Sequence, residues 1–131
     1  MAKILVVDDS NVMRKKLASI FEEAGHSVVA EAKNGMEAFR AYARYSPDLV
    51  TMDITMPVMN GIEAVKKIVP NYPEAKIVMI SSVGQKDMVM TALKLGAKHF
   101  IVKPFTVEQA KTIIDKVLAM GSNESALIEE S

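Results

Sequence analysis

Strand-like and helix-like patterns alternate five times along this chain, and no other feature constrains its fold as strongly. Lys3 to Val7 is a short, mostly β-branched run stopped by Asp8-Asp9-Ser10. A helical period follows, with Met13, Leu17, Ile20, Phe21 and Ala24 on one face and Gly25 as its stop. Ser27 to Ala32 reads as a second strand, and Gly35 to Tyr45 as a second helix ended by Ser46-Pro47. Leu49 to Asp53 is the third strand, followed by a turn from Pro57 to Gly61. Ile62, Val65, Ile68 and Val69 define a third helix that Pro70 is expected to close. The fourth pair is a strand from Lys76 to Ser81 and a helix from Gln85 to Leu95, stopped by Gly96. The fifth is a short strand, His99 to Val102, and a helix from Val107 carrying Ala110, Ile113, Ile114, Val117 and Leu118.

Such alternation argues for an α/β fold, a parallel sheet covered by helices on both faces. Right-handed crossovers leave few topologies. The expected one is a single doubly wound, flavodoxin-like (βα)5 sheet of order 2-1-3-4-5, which sets the ends of strands one and three side by side. With 131 residues the chain is expected to form one domain over residues 1–120, with a short polar tail, Gly121 to Ser131, that frays. Half the residues are apolar and the formal net charge is zero, which speaks against a nucleic-acid binder. The chain has no cysteine, so thiolate metal sites and thiol nucleophiles are excluded. No apolar run approaches the roughly 20 residues of a membrane span, and no secretory signal is seen. The expected location is the cytoplasm.

The chemistry gathers at the carboxyl ends of the strands, where open α/β sheets bind ligands. Asp8 and Asp9 leave strand one beside Asp53, which ends strand three ahead of Pro57. Three crowded carboxylates repel one another, and a hard divalent cation relieves that. Mg²⁺ suits best, because it takes oxygen ligands and commonly bridges to phosphate. A carboxylate, a cation and room for phosphate suggest phosphoryl transfer to Asp53. Ser81, which ends strand four, and Lys103, which follows strand five, could hold the other phosphoryl oxygens. Taken singly, each has a commonplace reading. Asp8-Asp9-Ser10 can be a helix cap, Asp53 a turn former, Ser81 structural, Lys103 a solvated lysine and Phe100 core packing. Their coincidence at one sheet edge is what favours function. His26 and His99 have no partner at ligand spacing and read as non-catalytic. Met52, Met56, Met59, Met79, Met88, Met90 and Met120 read as packing.

Asp8-Asp9, Asp53, Ser81 and Lys103-Pro104 at these spacings resemble the receiver domain of two-component response regulators, over residue 3 to about residue 120. Met13-Arg14, the segment from Ser82 and the segment from Leu95 to Phe105 are similar to stand-alone chemotaxis regulators of archaea and of many Gram-positive and thermophilic bacteria. The resemblance implies that Asp53 accepts phosphate from a sensor kinase histidine. It implies Mg²⁺ held by Asp9, Asp53 and the Thr55 backbone carbonyl, with Asp8 acting through water. Ser81 and Lys103 would contact the phosphoryl group, the Lys103–Pro104 bond would be cis, and Phe100 would be an aromatic switch. Thr55 and Val83 fall at positions that tune phosphoryl lifetime, and neither supplies an acid or amide to orient water. The implied partners are a chemotaxis histidine kinase and a flagellar or archaellar motor switch protein or adaptor. The implied protein is a monomer that binds no membrane and no nucleic acid. From Gln85 to Met120, Lys86, Lys94, Lys98, Lys103, Lys111 and Lys116 outnumber Asp87, Glu108 and Asp115, which suggests an acidic or mixed partner for the face of helix four, strand five and helix five.

Three alternatives stand beside this reading. A single-domain phosphorelay intermediate would use the same acidic site. A haloacid-dehalogenase-type phosphohydrolase needs an acid where Thr55 stands and a nucleophile on the first strand. A flavodoxin-type electron carrier needs aromatic residues around its flavin and a phosphate loop that is not acidic. Beyond supporting its own Mg-dependent phosphorylation and dephosphorylation, the chain is not expected to be an enzyme.

Overall fold

A computed structural model describes residues 1–121 and 124–126 of the chain. Its strands are β1 (Lys3–Val7), β2 (Ser27–Ala32), β3 (Leu49–Asp53), β4 (Ile77–Ser82) and β5 (His99–Lys103). Its helices are α1 (Asn11–Glu23), α2 (Gly35–Tyr45), α3 (Gly61–Asn71), α4 (Lys86–Lys94) and α5 (Val107–Leu118). All strand pairs are parallel and the order is β2-β1-β3-β4-β5, the arrangement expected from the alternation. Among the described residues, no helix is long and apolar enough to cross a membrane.

Alternate residues of the strands feed two cores. Leu5, Val7, Val50, Met52 and Met79 face α2, α3 and α4. Ile4, Val6, Leu49, Val78 and Ile80 meet Leu17, Phe21, Ile114 and Val117 of α1 and α5 on the other side. All five residues of β3 are buried, as a central parallel strand requires. Most helices start on side-chain caps that satisfy free amide groups. Ser10 accepts the Met13 N–H, Asn34 the Glu37 N–H, and Asn60 and Thr106 form reciprocal capping boxes with Glu63 and Gln109.

Several boundaries differ from expectation. Helix α3 runs through Pro70 to Asn71, because a proline in the last turn forfeits one hydrogen bond and the Tyr72 N–H still reaches the Ile68 carbonyl at 2.8 Å. Strands β4 and β5 each extend one residue further, since Ser82 pairs with Lys103. The tail does not fray throughout. Ala126 is buried in the α2–α4 core, and its N–H donates to the Lys98 carbonyl at 2.7 Å. Residues 122, 123 and 127–131 of that tail lie outside the described residues.

The end of β3 is held from behind by α3. The Gly61 N–H donates to the Ile54 carbonyl at 2.8 Å. A Cβ at Gly61 would collide with the Asp53 carbonyl oxygen and stand 3.0 Å from the Ile54 Cα. Backbone cannot yield as a flexible side chain can, so Gly61→Ala should lower stability by about 2 to 3 kcal/mol. Urea unfolding checks this, and an unchanged midpoint would mean that α3 need not approach so closely.

Candidate functional site

Adjacent parallel strands deliver their carboxyl ends to one edge, and Val7 lies beside Met52 in the register. Asp8 and Asp9 therefore emerge next to Asp53. An oxygen from each of the three carboxylates lies within 4.8 Å of the others. Asp8 and Asp53 are buried, at 1% and 7% exposure, while Asp9 is exposed. Lys103 enters from β5, its Nζ 3.6 Å from Asp8 Oδ2 and 3.7 Å from Asp53 Oδ1.

The turn after β1 is pinned. Asp8 Oδ1 accepts the Ser10 N–H at 2.8 Å. The buried Arg14 guanidinium donates from Nη1 to the Asp8 carbonyl at 2.7 Å, from Nη2 to Asn11 Oδ1 at 3.0 Å and from Nε to Glu31 Oε1 at 3.2 Å. Sequence reasoning noticed Arg14 only as a family likeness and missed this bracing of the acidic turn. Past β3, the chain passes through Val58 at φ 68°, a conformation that costs a β-branched residue about 1 to 3 kcal/mol.

Burial pushes the Asp53 carboxyl from its ordinary 3.8 up to about 6, and the Asp8 charge adds to the effect. The Lys103 ammonium and the Ile54 N–H pull the other way without prevailing, and Asp9 adds a weaker upward push. Asp8 Oδ2 is buried and, among the described residues, accepts no hydrogen bond. Clustered carboxylate oxygens, one of them lacking a donor, fit a hard divalent cation such as Mg²⁺. One lysine does not neutralise three acids.

Ser81 and Phe100 lie where the sequence suggested. Ser81 is the last residue but one of β4, at 2% exposure and paired with Val102. Phe100 is half-buried on β5, its ring 5.6 Å from that of His99. A cleft of about 460 Å³ opens between the β4–α4 loop and β5, lined by Ser81, Val83, Met90, Phe100 and Val102 among others. The Lys103–Pro104 bond is cis. Thr55 is exposed on the rim, and its hydroxyl receives a hydrogen bond from Gln85 Nε2 at 3.0 Å. Neither Thr55 nor Val83 carries an amide, yet the structure brings one to Thr55 from a residue the sequence had marked only as a helix start.

The histidines lie apart from the acidic group. His26 Nδ1 accepts the Ala2 N–H at 3.1 Å, and His99 Nδ1 accepts the Phe100 N–H at 2.8 Å. Two lysines do not serve the surface charge expected of them. Lys103 turns into the acidic site, and Lys98 is buried at 7% exposure with its pKa pushed down, chiefly by burial.

The sequence matches the response regulator receiver domain family over residues 4–115. It is 50% identical to the chemotaxis protein CheY of Thermotoga maritima over 115 residues, covering 88% of this chain and 96% of that one. It is 44% identical to the CheY of Halobacterium salinarum over 119 residues, with 90% and 98% covered. Among solved structures, the CheX–CheY–BeF3–Mg complex of Borrelia burgdorferi superposes with a TM-score of 0.86 at 36% identity, covering 90% of each chain.

The Asp53 shift sets a sign for stability. Its folded-state pKa is raised, so the folded protein holds that proton more tightly than the unfolded chain. The associated stability is present below about pH 4 and is lost as pH climbs through about 6. Without divalent cations, Asp53→Asn should therefore resist urea better than the parent near neutral pH, by up to about 3 kcal/mol. The two proteins should converge near about pH 4. Equal midpoints at both pH values would show that Asp53 carries no such penalty.

Proposed function

The chain belongs to the response regulator receiver domain family, and on that premise we propose that it is a stand-alone phosphorylation switch of the chemotaxis type, with Asp53 as acceptor. The observation that carries this is the pairing of a buried acceptor carboxylate with two further carboxylates and Lys103 at one sheet edge. In the reaction, an Asp53 carboxylate oxygen attacks the phosphorus of a kinase phosphohistidine. The P–N bond breaks as the P–O bond forms, and the imidazole nitrogen keeps the electron pair. Asp8, Asp9, Asp53 and the Thr55 carbonyl are the groups that would hold Mg²⁺, which when bound neutralises charge on the transferring phosphoryl. Lys103 already stands beside Asp53 and donates to a phosphoryl oxygen. Ser81, one strand over, supplies a hydroxyl.

The output is a population shift. A phosphoryl group that bonds Ser81 and Lys103 better in one arrangement favours it by that difference. Phe100 borders the same cleft as Ser81, so a ring turning inward there couples the site to the face of α4, β5 and α5. From Gln85 to Met120, beside the buried Lys98 and the engaged Lys103, there are four other lysines and three acids, Asp87, Glu108 and Asp115. Charge is therefore a weak basis for partner choice. Met88 and Val102, each 40% exposed, and the Phe100 cleft add apolar area beside these nearly balanced charges, and partner binding there should depend little on salt.

The donor is a chemotaxis histidine kinase of the CheA type, and the recipient a flagellar or archaellar motor switch protein or its adaptor. The protein works as a cytoplasmic monomer, with residues 1–120 as the receiver and no enzymatic turnover of other substrates. Radiolabel should pass from a phosphorylated kinase domain to the parent with Mg²⁺ present and not to Asp53→Asn; equal labelling of both would end this reading. Thr55→Asn and Val83→Glu should each change the decay of the labelled protein severalfold, since each brings a water-orienting group to the rim. Decay curves overlying the parent's would remove Thr55 and Val83 from the control of lifetime.

A further inference from the structure

Gln85 makes two bonds that the phosphoryl chemistry above does not use. Its Oε1 accepts the Ser82 N–H at 2.7 Å, and its Nε2 donates to the Thr55 hydroxyl at 3.0 Å. The Gln85 backbone N–H also reaches the Ser82 carbonyl at 3.2 Å. Gly84, at φ 93°, supplies the left-handed residue that this turn needs. One side chain thus closes the β4–α4 turn on itself and fastens it to the segment following the acceptor strand. Among the described residues, no other side-chain hydrogen bond joins those two loops.

The tether lies where it can resist the switch. Ser81 directly precedes Ser82, so Ser81 cannot travel toward a phosphoryl on Asp53 unless the Ser82 amide moves with it. That amide is bonded to Gln85, and Gln85 to Thr55. We propose that Gln85 is a positioning residue, a latch that holds the β4–α4 turn against Thr55 and so favours the unphosphorylated arrangement. The proposal rests on Asp53 being the acceptor only for its consequence. The latch itself is a property of the metal-free protein.

The test uses Gln85→Met, Thr55→Val and the double variant, all at the partly or wholly exposed rim, with thermal unfolding to verify that each is folded. Hydrogen exchange at the Ser82 amide is measured without metal or phosphate. Beryllofluoride with Mg²⁺ then serves as the phosphoryl probe. Each single variant should speed Ser82 exchange and tighten probe binding by roughly three- to tenfold, the range that one ordinary hydrogen bond sets. Because both substitutions break the same bond, the double variant should gain no more than the stronger single one. Parent-like Ser82 exchange in Thr55→Val, weaker probe binding in either single variant, or additive gains in the double would each overturn the latch. A parent that neither binds the probe nor takes label at Asp53 would defeat the acceptor reading instead. Exchange at Ser82 would still decide whether the latch exists.

Discussion

Everything at the working edge of this protein follows from like charges held closer than they would choose to be. Three carboxylates share a space less than 5 Å across, and two of them are buried. A single ammonium approaches both buried acids at 3.6 and 3.7 Å, too far for a strong hydrogen bond and too little charge to balance them. Burial and the Asp8 charge lift Asp53 toward neutrality. A site built to stabilise the resting protein would place Asn or Ser at one of these positions. Three acids in one pocket accord with the function proposed above, in which the favourable state includes a cation and a phosphoryl group supplied from outside.

The frustration is tolerable because the scaffold beneath it is stiff. Central strand β3 is buried along its whole length, and helix α3 meets its end through Gly61 with no space for a side chain. Arg14 clamps the turn that carries Asp8 and Asp9 with three hydrogen bonds from one guanidinium. Lys103 belongs to a strand in register with Ser82. The charged groups therefore cannot relax apart, and any relief has to come from a ligand that fits among them.

Much of this was legible in the sequence, for identifiable reasons. Strand–helix alternation depends on local periodicity, and five such periods leave few topologies, so the sheet order and the meeting of Asp8, Asp9 and Asp53 could be read without coordinates. Boundaries at Pro70, Ser82 and Lys103 were missed by one residue, because a helix end tolerates proline and a strand end depends on its neighbour's register. The Lys98 error had a different origin. A lysine in a connecting segment normally faces water, and only the folded chain, which leaves Lys98 7% exposed and bonds its carbonyl to the Ala126 N–H, shows that this one does not. Arg14 and Gln85 escaped for a shared reason: their roles lie in long side chains reaching backbone or hydroxyl groups far along the chain or across a turn, which no spacing rule reveals.

These differences in anchoring bear on where motion can occur. Asp8 is fixed by backbone and guanidinium bonds, Asp53 by the packing of α3, and Lys103 by its place in the sheet. The segment leaving β4 is fastened across to the loop after β3 by exposed side-chain bonds, from Gln85 to Ser82 and to Thr55. Exposed bonds exchange readily with water, so they open at far less cost than a core contact. That segment also follows Ser81 and borders the cleft beside Phe100. If Asp53 is the acceptor proposed above, a charge arriving there has an inexpensive way to be felt elsewhere, through the β4–α4 turn and into the cleft behind it. The stiffness of everything else directs the signal along that path.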